Sequence, residues 1–324
     1  MNKVIRWGMV GCGAVTEVKS GPAYQSTAQF ELHGVTRRDL VLAKDYAARH
    51  GVPNVYSSAS ELIACPEIDA IYIATPPDSH MELALQVAAA GKPCCIEKPL
   101  APTYHECEII HDAFAQQGLP LYVAYYRRSL PRFNKVKALI ESNVIGDIRH
   151  VNWHLNKAPN QLDLSGKYNW RTDKSIALGG YFDDLASHGL DLFSYLFGEF
   201  EQVKGLASNQ QKLYGAFDAI TACWQHKSGV TGSGSWNFGG FSRYDTVTLY
   251  GQRGEITFSV FDEQVIKVTT LNGIEEYTIA NPAHIHQYHV QNIALDLLSQ
   301  SGHPSTGTTA MHTSWVMEQI IMPT

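Results

Sequence analysis

The chain has 324 residues, 44% of them hydrophobic and 17% charged, which fits a globular protein of about two domains with a substantial core in each. A net charge of −6 without any Lys/Arg run leaves no marked surface for nucleic acid or anionic lipid. No apolar stretch approaches the ~20 residues of a transmembrane helix, and MNKVIRWGMVGCG reads at once as a strand entering a glycine turn, with no room for a signal peptide. The mature chain is therefore expected to start at or near residue 1, in the cytoplasm. The six cysteines (Cys12, Cys65, Cys94, Cys95, Cys107 and Cys223) form no CxxC pair and no zinc-like spacing, and read as free thiols in a reducing compartment.

The first third alternates strand and helix signals. Strands are predicted in VIRWGMV (4–10), FELHGVT (30–36), AIYIAT (70–75), PCCIE (93–97) and LPLYVAY (119–125). Between them lie three helical stretches: LVLAKDYAARH ends at Gly51, HMELALQVAAA at Gly91, and TYHECEIIHDAFAQQ at Gly118, with Thr103 and Glu106 at capping-box positions. Repeated β-α-β order implies a doubly wound parallel sheet with right-handed crossovers. On a strand Cys94 and Cys95 point to opposite faces and pack as small hydrophobes.

Past residue 124 the pattern changes, and the domains are set at 1–124 and 125–324. PRFNKVKALIESN reads as a helix and DIRHVNWHLN as a long strand, followed by a polar stretch from Lys157 to Gly180 whose length points to function. GGYFDDLASHGLDLFSYLFG repeats at helical spacing. Roughly six strand-like runs fill residues 200–280, favouring an antiparallel or mixed sheet, and helices are predicted at about 284–300 and 308–321.

Chemistry concentrates in five places, four of them at strand ends of the first third. GMVGCGAVT puts Gly8, Gly11 and Gly13 at a strand end and helix start, where glycine lets the backbone approach a pyrophosphate; Gly11, Cys12, Gly13, Ala14 and Val15 would hold a dinucleotide. The second strand ends in Thr36-Arg37-Arg38-Asp39. Arginine there accommodates a 2′-phosphate and favours NADP over NAD, the alternative being two solvated arginines at a helix entrance, with Asp39 one small register shift from the ribose. At the third strand end, ATPPDSH, the prolines block early helix formation and Thr75, Pro76 and His80 are candidates to line the nicotinamide half. At the end of the PCCIE strand, Pro99 keeps Lys98 extended, so Glu97 and Lys98 read either as an exposed ion pair or as a lysine aimed at a reacting oxygen beside the cofactor, with Glu97 orienting it or touching the cofactor's ribose.

In YFDDLASHGLDLF, Asp184, His188 and Asp191 stand at i, i+4, i+7 and would share a helix face. Histidine is the natural proton acceptor near neutral pH, and a carboxylate one turn away can orient it or bind a second hydroxyl. A solvated polar stripe and a metal site are the alternatives; further ligands are not evident, so no metal is assigned.

GMVGCGAV, ATPPDSHMELALQVAAAGKPCCIEKPL, RRSLP, NWRTD and GGYFDDLASHGLD, in this order and spacing, resemble the glucose-fructose oxidoreductase / inositol dehydrogenase / rhizopine-catabolism (Gfo/Idh/MocA) family across essentially the whole chain. The joined EKP and D-x-x-x-H motifs are the specific part. The resemblance implies an α/β fold with an N-terminal Rossmann domain and a C-terminal α/β domain bearing a large, mostly antiparallel open sheet. That sheet commonly forms the contact of a homodimer or homotetramer. It further implies a catalytic group of Lys98, Asp184 and His188, a nicotinamide cofactor (NADP or NAD), and often a cis peptide before the EKP proline. Departures are Thr16 in the glycine loop, Leu178 in a frequent Gly triplet, and Arg37 where NAD-using members carry an acid.

The reaction this implies is reversible oxidation of a secondary alcohol on a sugar, sugar derivative or cyclitol. Lys98 and His188 exchange the roles of proton-transfer and positioning residue in the two versions that fit. Tyr168, Trp170 and Arg171, with Lys167, are candidates for substrate hydroxyls or sugar faces, and Arg128 for the cofactor. Rivals are an NAD-dependent glycosidase working by transient oxidation, a reductase of a non-sugar carbonyl, and a non-catalytic dinucleotide-sensing regulator.

Overall fold

Residues on the central strands of the first sheet alternate between two cores. In the computed structural model, which describes residues 4–322, Ile71, Ile73, Cys94, Ile96, Leu121 and Val123 enter one apolar cluster. Their neighbours Ala70, Tyr72, Cys95 and Tyr122 enter the other. A parallel sheet covered on both faces needs this continuous apolar run, which explains why the adjacent cysteines are both buried. All six cysteines are free thiols.

The elements of this unit are β1 (Ile5–Val10), α1 (Ala14–Val18), α2 (Gly21–Ser26), β2 (Phe30–Thr36), α3 (Leu40–His50), β3 (Asn54–Val55), α4 (Ala59–Ala64), β4 (Ala70–Ile73), α5 (His80–Ala89), β5 (Cys94–Ile96), α6 (Tyr104–Gln116) and β6 (Leu121–Val123). The strands are all parallel, in the order β3-β2-β1-β4-β5-β6. This is the doubly wound sheet the sequence predicts, with one strand more: β3 has two residues and no alternation to reveal it. Capping follows expectation. Gly51 closes α3 at φ 65°, and Thr103 and Glu106 form a full capping box on α6.

The second unit contains α7 (Pro131–Glu141), β7 (Ile148–Asn156), α8 (Gln161–Leu164), a π-helical turn (Phe182–Ala186) running into α9 (Ser187–Phe197), and seven further strands. These are β8 (Phe200–Ser208), β9 (Ala219–His226), β10 (Thr231–Asn237), β11 (Tyr244–Gly251), β12 (Gly254–Phe258), β13 (Ile266–Thr270) and β14 (Gly273–Tyr277). With β7 they make an eight-stranded sheet, β14-β13-β12-β11-β7-β10-β9-β8. Only the β7–β10 pair is parallel. The fold is α/β, with a parallel Rossmann sheet and a large, mostly antiparallel second sheet.

The contiguous division at residue 124 differs from the two compact units of the structure. The first extends to Ser129 and takes back Pro282–Met311; the second holds Leu130–Asn281 and the chain from His312. The physical reason is α10 (Gln287–Ser299), whose Val290, Ile293 and Ala294 lie in the Rossmann core beside Trp7 and Tyr24. The last helix, α11 (Gly307–Ile321), straddles the third passage of the chain between the units, at Met311 and His312. Among the described residues no helix is long and apolar enough to cross a membrane.

Candidate functional site

The glycine turn of the first unit is built by β1 and β4 together. Gly11 has φ +93°, and a Cβ there would stand 2.7 Å from Thr75 Cγ2 and 2.9 Å from the backbone atoms Ala74 C and Thr75 N. Both conformation and closeness therefore demand glycine. Gly13 is different: its backbone is extended, and a Cβ there would meet nothing nearer than 3.7 Å. The protein's own packing does not need a glycine at 13, so the open space beside the first amides of α1, at Ala14 and Val15, fits the close approach of a dinucleotide's pyrophosphate. Cys12 presents only its backbone at this turn, since its side chain is fully buried. Thr16, the unusual third residue of the motif, bonds its hydroxyl to the Gly13 carbonyl at 2.8 Å and stabilises the turn from inside.

At the end of β2, Arg37 Nη1 donates to the Cys12 carbonyl at 3.3 Å, bringing the guanidinium against the glycine turn. Arg38 is exposed. Asp39 caps α3, accepting from the amides of Val41 at 3.0 Å and Leu42 at 3.2 Å. The acid that a register shift would bring to a ribose is thus engaged in holding its own helix.

Thr75 and Pro76 are half-buried at the end of β4, where Ser79 Oγ lies 2.7 Å from Thr75 Oγ1. His80, a candidate for the nicotinamide wall, is placed elsewhere. It is 0% exposed, with Nε2 2.9 Å from the Thr75 carbonyl and Nδ1 3.1 Å from that of Pro99. A ring closed in between carbonyls of two loops offers no face to a ligand; it braces the β4 loop against the EKP loop. Arg128 is likewise buried, with Nη1 donating to the Pro304 carbonyl at 3.1 Å, so it ties loops of the first unit together instead of lining a cofactor surface.

The EKP loop follows β5. Glu97 is buried, accepts the Tyr72 hydroxyl at 2.6 Å and lies 3.3 Å from the Lys98 amide. Its removal from solvent raises its proton affinity, and the Tyr72 hydroxyl partly offsets this. His286, at the start of α10, stands 3.8 Å from the same carboxylate. Glu97 therefore anchors the backbone of Lys98 from below, a role the strand pattern gave no means of assigning because Tyr72 and His286 are distant in sequence. Lys98 is half-buried, and the Lys98–Pro99 peptide is cis.

In the second unit the predicted helix face is only partly realised. Asp184 sits in the π-helical turn and His188 in the first turn of α9, so the wider turn between them breaks the i, i+4 register of an α-helix. Asp191 leaves the proposed stripe altogether: it is fully buried, 3.2 Å from Thr313 on α11. His188 is 5% exposed, with the Phe261 ring edge-on at 6.1 Å. Its neighbour Gly189 lets α9 lie directly on the sheet, because a Cβ there would stand 2.2 Å from the Trp153 ring. Trp153 is in turn held by Asp245 at 2.9 Å. The His-Gly pair thus sets the depth of His188.

Asp184 meets the polar segment. Arg171 Nε donates to Asp184 at 2.9 Å, and the same guanidinium stacks over the Trp170 ring at 4.3 Å. Trp170, Arg171 and Asp184 are thereby brought together. Lys167 is exposed and Tyr168 is 74% exposed, both apart from this group in contacts. The segment is more ordered than its composition implies: Tyr181 bonds Asp163 at 2.8 Å and Asn169 at 3.0 Å, pinning α8 and the NWRT turn. Among the described residues no group of three His, Cys, Asp or Glu is placed to hold a metal ion.

Asp183, beside Asp184, accepts from the Gly179 amide at 2.9 Å, and loss of solvent pushes its carboxyl up to about 7. Its folded-state affinity exceeds the ordinary value, so the folded chain binds a proton that the unfolded chain has lost between about pH 4 and 7, and stability falls as pH rises through that window. Asp183→Asn keeps an acceptor for Gly179 and should flatten this fall, read as Tm against pH; an unchanged slope would refute the assignment.

A six-stranded parallel sheet in this order, with a glycine turn at the end of its first strand, defines a Rossmann fold of the dinucleotide-binding type. Comparison with known proteins carries this further. The model of the oxidoreductase family with NAD-binding Rossmann fold, GFO_IDH_MocA, matches residues 5–125, and the GFO/IDH/MocA C-terminal domain matches residues 133–257. Oxidoreductase P35 of Formosa agariphila is 37% identical over 98% of both chains. A levoglucosan dehydrogenase of Pseudarthrobacter phenanthrenivorans is 35% identical over 52% of this chain and 43% of its own. The solved structure of a levoglucosan dehydrogenase in complex with NADH superposes with a TM-score of 0.89 at 24% identity, covering 98% of this chain and 96% of that one. The chain belongs to the GFO/IDH/MocA family and is an NAD(P)-dependent oxidoreductase.

Proposed function

We propose that the protein reversibly oxidises a secondary alcohol of a sugar, sugar derivative or cyclitol, with Lys98, Asp184 and His188 as its catalytic residues. The observation that carries this is the anchoring of Asp184 by Arg171, stacked on Trp170, one π-turn before His188: an aromatic face, a bidentate-capable cation and a carboxylate beside a histidine form a set of hydroxyl-binding groups. The levoglucosan dehydrogenase among the relatives supports the substrate class.

His188 accepts the hydroxyl proton while the carbinol hydrogen leaves as hydride, so the alcohol loses one proton and one hydride and becomes a ketone. The nicotinamide, when bound, supplies the hydride acceptor. Lys98 hydrogen-bonds the reacting oxygen and stabilises its developing negative charge, and Asp184 orients His188 or a neighbouring hydroxyl. Gly11, Gly13, Ala14, Val15 and the backbone of Cys12 would hold the pyrophosphate, with Thr75 and Pro76 alongside. We place the contact of a homodimer or homotetramer on the less buried face of the eight-stranded sheet, where His150, Asn152 and Ser233 form a polar, hydrogen-bonded surface.

NADP is the cofactor favoured by Arg37 and Arg38, because Arg37 lies against the glycine turn while Asp39 is engaged as a helix cap. Initial rates of cofactor reduction over a panel of neutral sugars and inositols, with NADP and NAD in parallel, test both parts. KM for NADP should be the lower. Arg37→Ala should raise it by about tenfold or more, the scale of a lost charged hydrogen bond, with little change for NAD. A clear NAD preference would sink the cofactor assignment, and the absence of turnover across the panel would sink the substrate class.

A further inference from the structure

Lys157 follows the last residue of β7, at the head of the polar segment, where its amide donates to the Asn237 carbonyl at 2.9 Å. Its backbone is thereby fixed by the sheet, and its side chain is half-buried. The ammonium lies 6.0 Å from the centroid of the Tyr181 ring. It makes no hydrogen bond or ion pair within the described residues, although Asp184, Asp163 and Asp262 are all close enough to act on its charge, as is Arg243. Each of those carboxylates already has a partner: Arg171 holds Asp184 at 2.9 Å, Tyr181 holds Asp163 at 2.8 Å, and Arg243 Nε holds Asp262 at 3.2 Å. A half-buried ammonium that none of these carboxylates holds keeps its three donors for water or a ligand.

We infer that Lys157 is a substrate-contacting residue, donating a hydrogen bond to a hydroxyl of a neutral sugar or cyclitol on the same side as Asp184. The inference rests on the oxidoreductase reading above and narrows its substrate class. Neutrality follows from the charges around the group. Lys157, Arg171 and Arg243 face Asp163, Asp184 and Asp262, three against three, and Asp183 adds further negative charge as pH rises through about 7. The set therefore has no net positive charge, and a sugar acid would bring a further carboxylate among Asp163, Asp184 and Asp262 without one to offset it. Burial lowers the proton affinity of Lys157, in keeping with an ammonium that has shed part of its water before any ligand arrives.

The test uses the full-length protein with cofactor and measures oxidation of neutral aldoses and inositols beside the matching uronates. Wild type should favour the neutral compounds. With the best of them, Lys157→Met should raise KM about tenfold or more while kcat and the KM for cofactor stay within about threefold. Lys157→Arg should recover most of the loss. An unchanged KM in Lys157→Met, or a wild-type preference for uronates, would overturn the inference. Failure of the broader reading is separable: it would show in the wild type itself, as no turnover of any compound in the panel, whereas failure of this inference shows only in the Lys157 variants or in the neutral-against-uronate preference. The unchanged cofactor KM also guards against a misfolded variant.

Discussion

Replacing Lys98 by alanine should lower kcat by about a hundred- to ten-thousand-fold, the range for loss of an acid–base or charge-stabilising group at a reacting oxygen. Dinucleotide affinity should stay within a few-fold. The separation is specific because the backbone of this loop is held by other groups: the Lys98 amide lies against Glu97, Glu97 is bonded by Tyr72, and His80 braces Pro99. Removing the lysine side chain leaves these contacts in place. Turnover with saturating alcohol and cofactor, beside cofactor affinity by fluorescence titration, reads the two effects independently. An unaltered kcat would remove Lys98 from the chemistry, and a parallel loss of cofactor binding would assign it to the cofactor instead.

The second large effect belongs to Gly11. An alanine at φ +93° costs roughly 1–2 kcal/mol in the left-handed region. Its Cβ would also stand 2.9 Å from backbone atoms of the β4 loop, which has no flexible end to yield, adding a further ~1–3 kcal/mol of overpacking. The glycine turn must then move away from Thr75. Gly11→Ala should lower Tm by several degrees and abolish measurable dinucleotide binding. Gly13→Ala, with open space around its Cβ, should retain Tm and lose affinity for the dinucleotide alone. Differential scanning calorimetry with and without cofactor distinguishes the pair; equal loss of Tm in both would contradict the assignment of open space at Gly13 to a ligand.

Much of this arrangement is legible along the chain because it depends on local chemistry. Capping at Thr103, the stop at Gly51 and the alternation of Cys94 and Cys95 are decided by residues a turn or a pleat away. What escaped is non-local. The Tyr72 hydroxyl reaches Glu97 from the neighbouring strand, α10 returns to the Rossmann core from residue 287, and β3 is too short for periodicity. The π-turn is a fourth case: FDDLASH fits an α-helix by spacing, and the extra width shows only in the folded chain, where the following Gly189 is pressed on Trp153. His80 and Arg128 illustrate the opposite error. Polar residues just beyond the strands β4 and β6 invite a ligand role, yet both are engaged by carbonyls of their own unit. Lys157 is the converse, a lysine in a strand-end context with no motif to mark it, visible once the partners of its neighbours are accounted for.

Hydride transfer itself can be followed with neutral sugars and inositols deuterated at every carbon, incubated with the protein and NADP. Deuterium should appear on the reduced nicotinamide, one atom for each ketone formed, and transfer should collapse in Lys98→Ala. Cleavage of a glycosidic bond with the cofactor returned oxidised, or ketone formation without deuterium on the nicotinamide, would contradict direct oxidation of the alcohol.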